Sequence, residues 1–196
     1  MILSVPFYSQ HKDVFSEEWR SKSCAIVCLK MALDFLSPQN GLSTDDLIKE
    51  GEIIQNDMIE KGYMTGEHAS NGWSHDVIVF ISHNHGILAY REEFRSIKVD
   101  KELQVFTKGD FEEELETRAI QKITQIIEKK KPVIISIKKP NGSFHTVLVV
   151  GFESNHTNPS FFFYHDPDTE NGGNAEMKVS ITEFLKIWRR LAIFIG

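Results

Sequence analysis

The sequence predicts an α+β protein. Helical periodicity dominates the first two thirds of the chain, and three β-branched runs bounded by turn residues occupy the last third. Helices that come first and a sheet that comes later define this class. The 196 residues suit one domain, spanning 1–196, with a core of its own.

The elements follow in order. Ile2–Tyr8 is a short extended run, and a polar loop from His11 to Ser23 carries Trp19. Cys24 to Leu36 is helical: Ile26, Val27, Met31, Leu33 and Phe35 fall among good helix formers, Ser23 caps the start and Pro38 lies beyond the end. Leu42–Glu50 reads as a second, short helix, capped by Ser43 or Thr44 and stopped at Gly51, with Glu52–Lys61 helical after it. Ser74 caps a helix through Val77, Ile78, Phe80 and Ile81 that stops at Gly86, and Ile87–Tyr90 reads as a strand. Asp110 caps a long helix to about Lys130, with Phe111, Leu115, Ile120, Ile123, Ile126 and Ile127 on its inner face.

Pro132–Lys139, Phe144–Phe152 and Ser160–His165 are the three β-branched or aromatic runs. Pro140-Asn141-Gly142 separates the first pair and Asn155–Pro159 the second, which predicts an antiparallel meander. Ser180-Ile181-Thr182-Glu183 is a capping box opening a helix to Arg190, and Ala192–Ile195 is a last short strand. Glu52–His68 and Arg91–Asp110 are the segments where loops over a site could lie.

Composition narrows the function classes. Twenty-two Lys and Arg against 28 Asp and Glu give a net charge of −6, which argues against a nucleic-acid partner. The runs Lys129-Lys130-Lys131 and Arg189-Arg190 read as solvated helix faces. No apolar stretch approaches a bilayer-spanning length, and Met1–Pro6 lacks the features of a signal peptide, so no membrane span and a cytoplasmic location are expected. The sequons Asn141-Gly142-Ser143 and Asn155-His156-Thr157 carry no weight without such a signal. No glycine-rich phosphate loop or dinucleotide fingerprint occurs, and no cofactor is expected. Of the eight histidines, His75, His83 and His85 do not form a recognised zinc motif. His165 and Asp168 could hold a cation beside Asp166, but a surface turn explains them equally; no metal is expected.

The only two cysteines, Cys24 and Cys28, exclude a disulfide scaffold and sit one helical turn apart. Cys24 heads its helix, where unpaired N–H groups and the helix dipole favour a thiolate. Cys28 lies deeper on an apolar helix and reads as a core thiol. A thiolate nucleophile needs a base, and the base needs an orienting acceptor. His145 opens one strand and Asp166 closes the next; antiparallel pairing brings them to one edge of the sheet, where Cys24 would complete a triad. Gln10, upstream in the polar loop, is the candidate oxyanion donor together with the Cys24 N–H.

These residues carry a resemblance. Val5-Pro6-Phe7-Tyr8-Ser9-Gln10, then Trp19, then Ser23-Cys24, resembles the N-terminal signature of the peptidase C39 and C39-like cysteine peptidases. Gly72-Trp73 before a helix that stops at Gly86, Phe144-His145-Thr146-Val147-Leu148-Val149-Val150-Gly151, His165-Asp166-Pro167, and a closing helix with Phe184 and Trp188 resemble their later segments, in the right order. The resemblance implies a papain-like fold, with the nucleophile helix of an N-terminal helical part packed on a C-terminal antiparallel sheet. It also implies Cys24 as nucleophile, His145 as general base and acid, Asp166 as orienting acid and Gln10 as oxyanion donor, acting on a peptide or amide-containing small molecule.

Three functions follow for such a chain. The first is a cysteine peptidase or amide hydrolase working through an acyl-enzyme. The second is an acyltransferase that passes the same acyl group to an amine. The third is a catalytically silent module that binds a peptide or small molecule; its motive is that Ala25-Ile26 follows Cys24 where the family commonly has Gly-Pro.

Overall fold

The structure is a computed structural model and describes residues 1–66, 72–101, 105–155 and 158–196. The chain folds into helices α1 (Glu17–Arg20), α2 (Cys24–Leu36), α3 (Thr44–Glu60) and α4 (His75–Asn84), strands β1 (Ala89–Glu93), β2 (Ile97–Asp100) and β3 (Val105–Lys108), and helix α5 (Glu112–Glu128). Strands β4 (Val133–Lys138), β5 (Phe144–Asn155), β6 (Asn158–His165) and β7 (Met177–Ser180), helix α6 (Ile181–Ile187) and strand β8 (Trp188–Ile195) follow.

Six strands form one antiparallel sheet in the order β1-β8-β4-β5-β6-β7, while β2 and β3 form a separate hairpin. The predicted meander is β4-β5-β6; the turn residues 156 and 157 of the Asn155–Pro159 connection lie outside the described residues. Helix α2 is buried from Ala25 to Leu33 and packs on β4, β5, α3 and α4. Helix α5 packs on β4 and β5 through Ala119, Ile120, Ile123 and Ile127. A helix apolar round most of its circumference belongs inside a core, and α2 is that helix here, its only charges, Lys30 and Asp34, paired one turn apart. Among the described residues no helix is long and apolar enough to cross a membrane.

Several sequence expectations are corrected. Gly51 does not stop a helix: α3 runs through it to Glu60, opened by a Ser43–Asp46 capping box. The glycine serves packing, because a Cβ there would lie 2.5 Å from the Trp73 ring. Ser23 does not cap α2; its hydroxyl donates instead to Trp19 O at 2.7 Å. Asp110 does not cap α5, whose N-cap is Phe111, and the Phe111 side chain is exposed rather than on the inner face. The closing helix ends at Ile187, and Arg189 and Arg190 belong to β8. Neither is a solvated helix residue. Arg189 stacks on the Phe144 ring at 3.5 Å and donates to Ser136 Oγ, while Arg190 is held by Glu116 and Glu112. The 91–110 segment contains the end of β1 and the β2–β3 hairpin, and 52–60 is helix; residues 67 and 68 lie outside the described set.

Candidate active site

Three elements converge at one end of the sheet. Helix α2 starts with Cys24, β5 presents His145 at its second position, and Asp166 follows the last residue of β6. Antiparallel pairing of β5 and β6 sets Leu148 opposite His165. The start of one strand therefore meets the end of the other, and His145 Nε2 lies 2.6 Å from Asp166 Oδ1. Both side chains are buried, where a charged hydrogen bond is strengthened by the low local dielectric. The same imidazole interacts electrostatically with the Cys24 thiol at the head of α2.

The electrostatics follow from these partners. Burial pushes the Cys24 thiol up, but the His145 hydrogen bond and charge, with smaller help from the Thr146 backbone and hydroxyl, outweigh it; the net shift is downward. Burial likewise favours neutral His145, yet Asp166 on one side and Cys24 on the other raise it to about 9. Between the lowered thiol pKa and about 9 the pair therefore favours thiolate and imidazolium. Cys28, one turn deeper, has no such partners: burial and the neighbouring Cys24 and Asp166 charges push it well up, and its Sγ donates to Thr146 O at 3.5 Å.

Gln10 is buried at the same end. Its backbone N–H donates to Pro167 O at 2.9 Å, and its Nε2 reaches Ser21 O, three residues before Cys24, at 3.5 Å. Its Oε1 is buried with no partner among the described residues. Ile26, the bulky residue at the departure from Gly-Pro, is fully buried in the hydrophobic core. Trp19 stacks on Trp73 at 4.2 Å between ring centroids and donates through Nε1 to Glu52 at 2.6 Å.

The surroundings hold residues that sequence reasoning undervalued. Asp168 is not in a surface turn; it is 4 % exposed and bound by His11, Lys139 and Asn171. A signal was present in the Asp166-Pro167-Asp168 triplet, where proline holds two carboxylates close together. His165 serves structure: Nε2 donates to Val5 O and Nδ1 accepts from the Glu176 N–H, while burial lowers its pKa. His83 Nε2 pairs with Ala89 O and His85 Nε2 with Glu50, so these two rings point to separate partners. Among the described residues no group of three or more His, Cys, Asp or Glu is arranged to hold a metal ion.

This arrangement of a buried helix against a six-stranded antiparallel sheet is the papain-like cysteine peptidase fold. The profile of the Peptidase_C39 like family matches residues 2–192, and the chain belongs to that family. Two solved structures share the fold. One is a double glycine motif protease from an AMS/PCAT transporter, solved in complex with the leader peptide. It has 13 % identity and a TM-score of 0.55, covering 99 % of this chain and 92 % of that one. The other is the peptidase domain of Streptococcus ComA, a bifunctional ABC transporter of a quorum-sensing pathway, with 15 % identity and a TM-score of 0.54, covering 90 % and 92 %. No functionally curated protein matches this chain.

Proposed function

We propose that this chain is a cysteine peptidase or amide hydrolase of the C39-like family. Cys24 is its nucleophile, His145 its base and acid, Asp166 the carboxylate that orients His145, and Gln10 an oxyanion donor. The observation that carries this reading is the 2.6 Å contact of His145 Nε2 with Asp166, at the end of the sheet where α2 begins with Cys24.

The Cys24 thiolate attacks the carbonyl carbon of the scissile amide, and the negative charge moves to the carbonyl oxygen. The Cys24 N–H, one of the unpaired donors of a helix start, and a Gln10 amide N–H stabilise that oxygen. The C–N bond breaks as His145 gives its proton to the leaving amine. His145 then takes a proton from water; the hydroxide oxygen bonds to the acyl carbon, the C–S bond breaks, and the acid leaves. Asp166 orients the imidazole and stabilises the imidazolium throughout. The substrate is a peptide or another amide, the class to which the leader peptide bound by the double-glycine protease belongs. Against the silent-module reading stands the burial of Ile26 in the hydrophobic core.

The test is alkylation of Cys24 by iodoacetamide as a function of pH. The wild-type chain reacts at pH values below those of an ordinary thiol, and His145→Ala moves the profile up to that of free cysteine. A wild-type profile already equal to free cysteine, and unmoved by His145→Ala, overturns the proposal.

A further inference from the structure

The Gln10 segment is held only in part by its own neighbours, the Ser9 N–H donating to Asp13 Oδ2 at 2.7 Å and the His11 N–H to Ser9 Oγ at 3.1 Å. Residues 9–11 dock on the turn that follows β6. Ser9 Oγ meets Thr169 Oγ1 at 2.6 Å, the Gln10 N–H donates to Pro167 O at 2.9 Å, and His11 Nε2 lies 2.6 Å from Asp168 Oδ1. The same turn carries Asp166. The Asp168 N–H donates at 3.0 Å to Asp166 Oδ1, the oxygen that faces His145.

Asp168 is the centre of this arrangement. Its carboxylate, 4 % exposed, receives His11 from the N-terminal loop, Lys139 from the β4–β5 connection, and Asn171 Nδ2 at 2.8 Å from its own turn. Glu170 is the remaining charged group at the cluster, with Oε2 3.3 Å from His11 Nδ1. Two chain segments distant in sequence thus converge, with Asn171 of its own turn, on one buried carboxylate. Removing one member of such a set leaves the others desolvated and unpaired, so their positions are no longer fixed. The turn has no slack of its own either: a Cβ on Gly173 would lie 2.8 Å from Asp166 Oδ1 and 2.7 Å from Asp166 O.

We propose that Asp168 is a positioning residue that clamps His11, and through it the Gln10 amide, to the turn presenting Asp166, so that oxyanion hole and triad are set in one geometry. The inference rests on the reading of Cys24 as nucleophile and Gln10 as oxyanion donor. It assigns the Asp168–His11 contact to the acylation step, where charge builds on a carbonyl oxygen, and not to thiolate formation.

Two probes of the same sulfur separate these steps. Iodoacetamide forms a C–S bond and releases iodide, with no oxyanion. p-Nitrophenyl acetate forms an acetyl thioester through an oxyanion as the C–O bond breaks and p-nitrophenolate leaves. The quantity to measure is the ratio of acylation rate to alkylation rate in the full chain. His11→Gln is expected to alkylate near the wild-type rate while its acylation falls about tenfold, a fraction of the loss on deleting an oxyanion donor outright. Asp168→Asn is expected to lower the ratio similarly. Label on Cys28, which is fully buried in the folded chain, reports any loss of folded protein, so the ratio is read on samples in which Cys28 takes up none.

An unchanged ratio in His11→Gln, with the wild-type thiol still reactive at low pH, overturns the clamp while leaving the nucleophile assignment intact. A wild-type sulfur that behaves as free cysteine toward both probes overturns the underlying reading itself. If Asp168→Asn does not fold, the ratio in His11→Gln decides.

Discussion

The head and the interior of α2 hold the same side chain in opposite states. Cys24 and Cys28 lie one turn apart, and burial pushes both thiols up. At the head, His145 and the start of β5 supply donors and a cationic partner, and the thiol is shifted down. One turn deeper, the thiol has a carbonyl acceptor at Thr146 and negative neighbours, and is shifted far up. Burial therefore does not decide the chemistry of a cysteine; what the burying elements aim at it does. The head differs because a helix start, a strand start and a strand end meet there, and each exposes groups that its own element leaves unused.

The comparison can be broken most severely at the head. Cys24→Ala is expected to abolish acylation by p-nitrophenyl acetate, a loss of about a thousandfold or more. In the same variant folded protein should take up no iodoacetamide at pH 7, because Cys28 is fully buried; mass spectrometry of the labelled chain checks both. Asp166→Asn leaves the space filled but removes the charge that holds the imidazolium, and a loss of about a hundredfold in acylation at pH 7 is expected. Its pH profile, compared with wild type, is the check.

The pH dependence sharpens the contrast. The His145 imidazolium is favoured below about 9, so cleavage of a fluorogenic peptide amide, which needs a proton for the leaving amine, should fall as pH rises through that value. At the acid side the rate should fall only below the lowered thiol pKa. The smallest effect lies in the interior. Cys28→Ala is expected to cost about 1–2 kcal/mol of stability in urea unfolding while leaving the Cys24 alkylation profile unchanged. A shift of that profile by Cys28→Ala would show the two thiols to be coupled where the comparison keeps them apart.

Much of the site was legible because its residues lie where elements begin and end. Cys24 follows a polar loop and opens an apolar helix, and His145 and Asp166 bracket a pair of strands whose antiparallel pairing brings them together. Those positions depend on periodicity and on turn residues, which are local signals. What escaped depends on tertiary contact. Gly51 reads as a helix stop until the Trp73 ring is seen lying across it. Arg189 and Arg190 read as surface charge until the Phe144 ring, Glu116 and Glu112 are found against them. Asp168 reads as part of a surface turn until His11 and Lys139, from two other segments, close over its carboxylate. Each is a case in which partners remote in sequence override a residue's usual habit.

The placement of β8 governs how this chain must be assembled. It lies near the end of the sequence yet sits second in the sheet, between β1 and β4. While the polypeptide emerges from the ribosome, β1 has no partner and the apolar edge of β4, Val133 to Ile137, stays open until residues 188–195 are made. An open apolar strand edge invites pairing with other chains. Biogenesis is therefore most vulnerable just before translation reaches Trp188, and a premature stop there leaves an aggregation-prone fragment in place of a shortened but ordered protein.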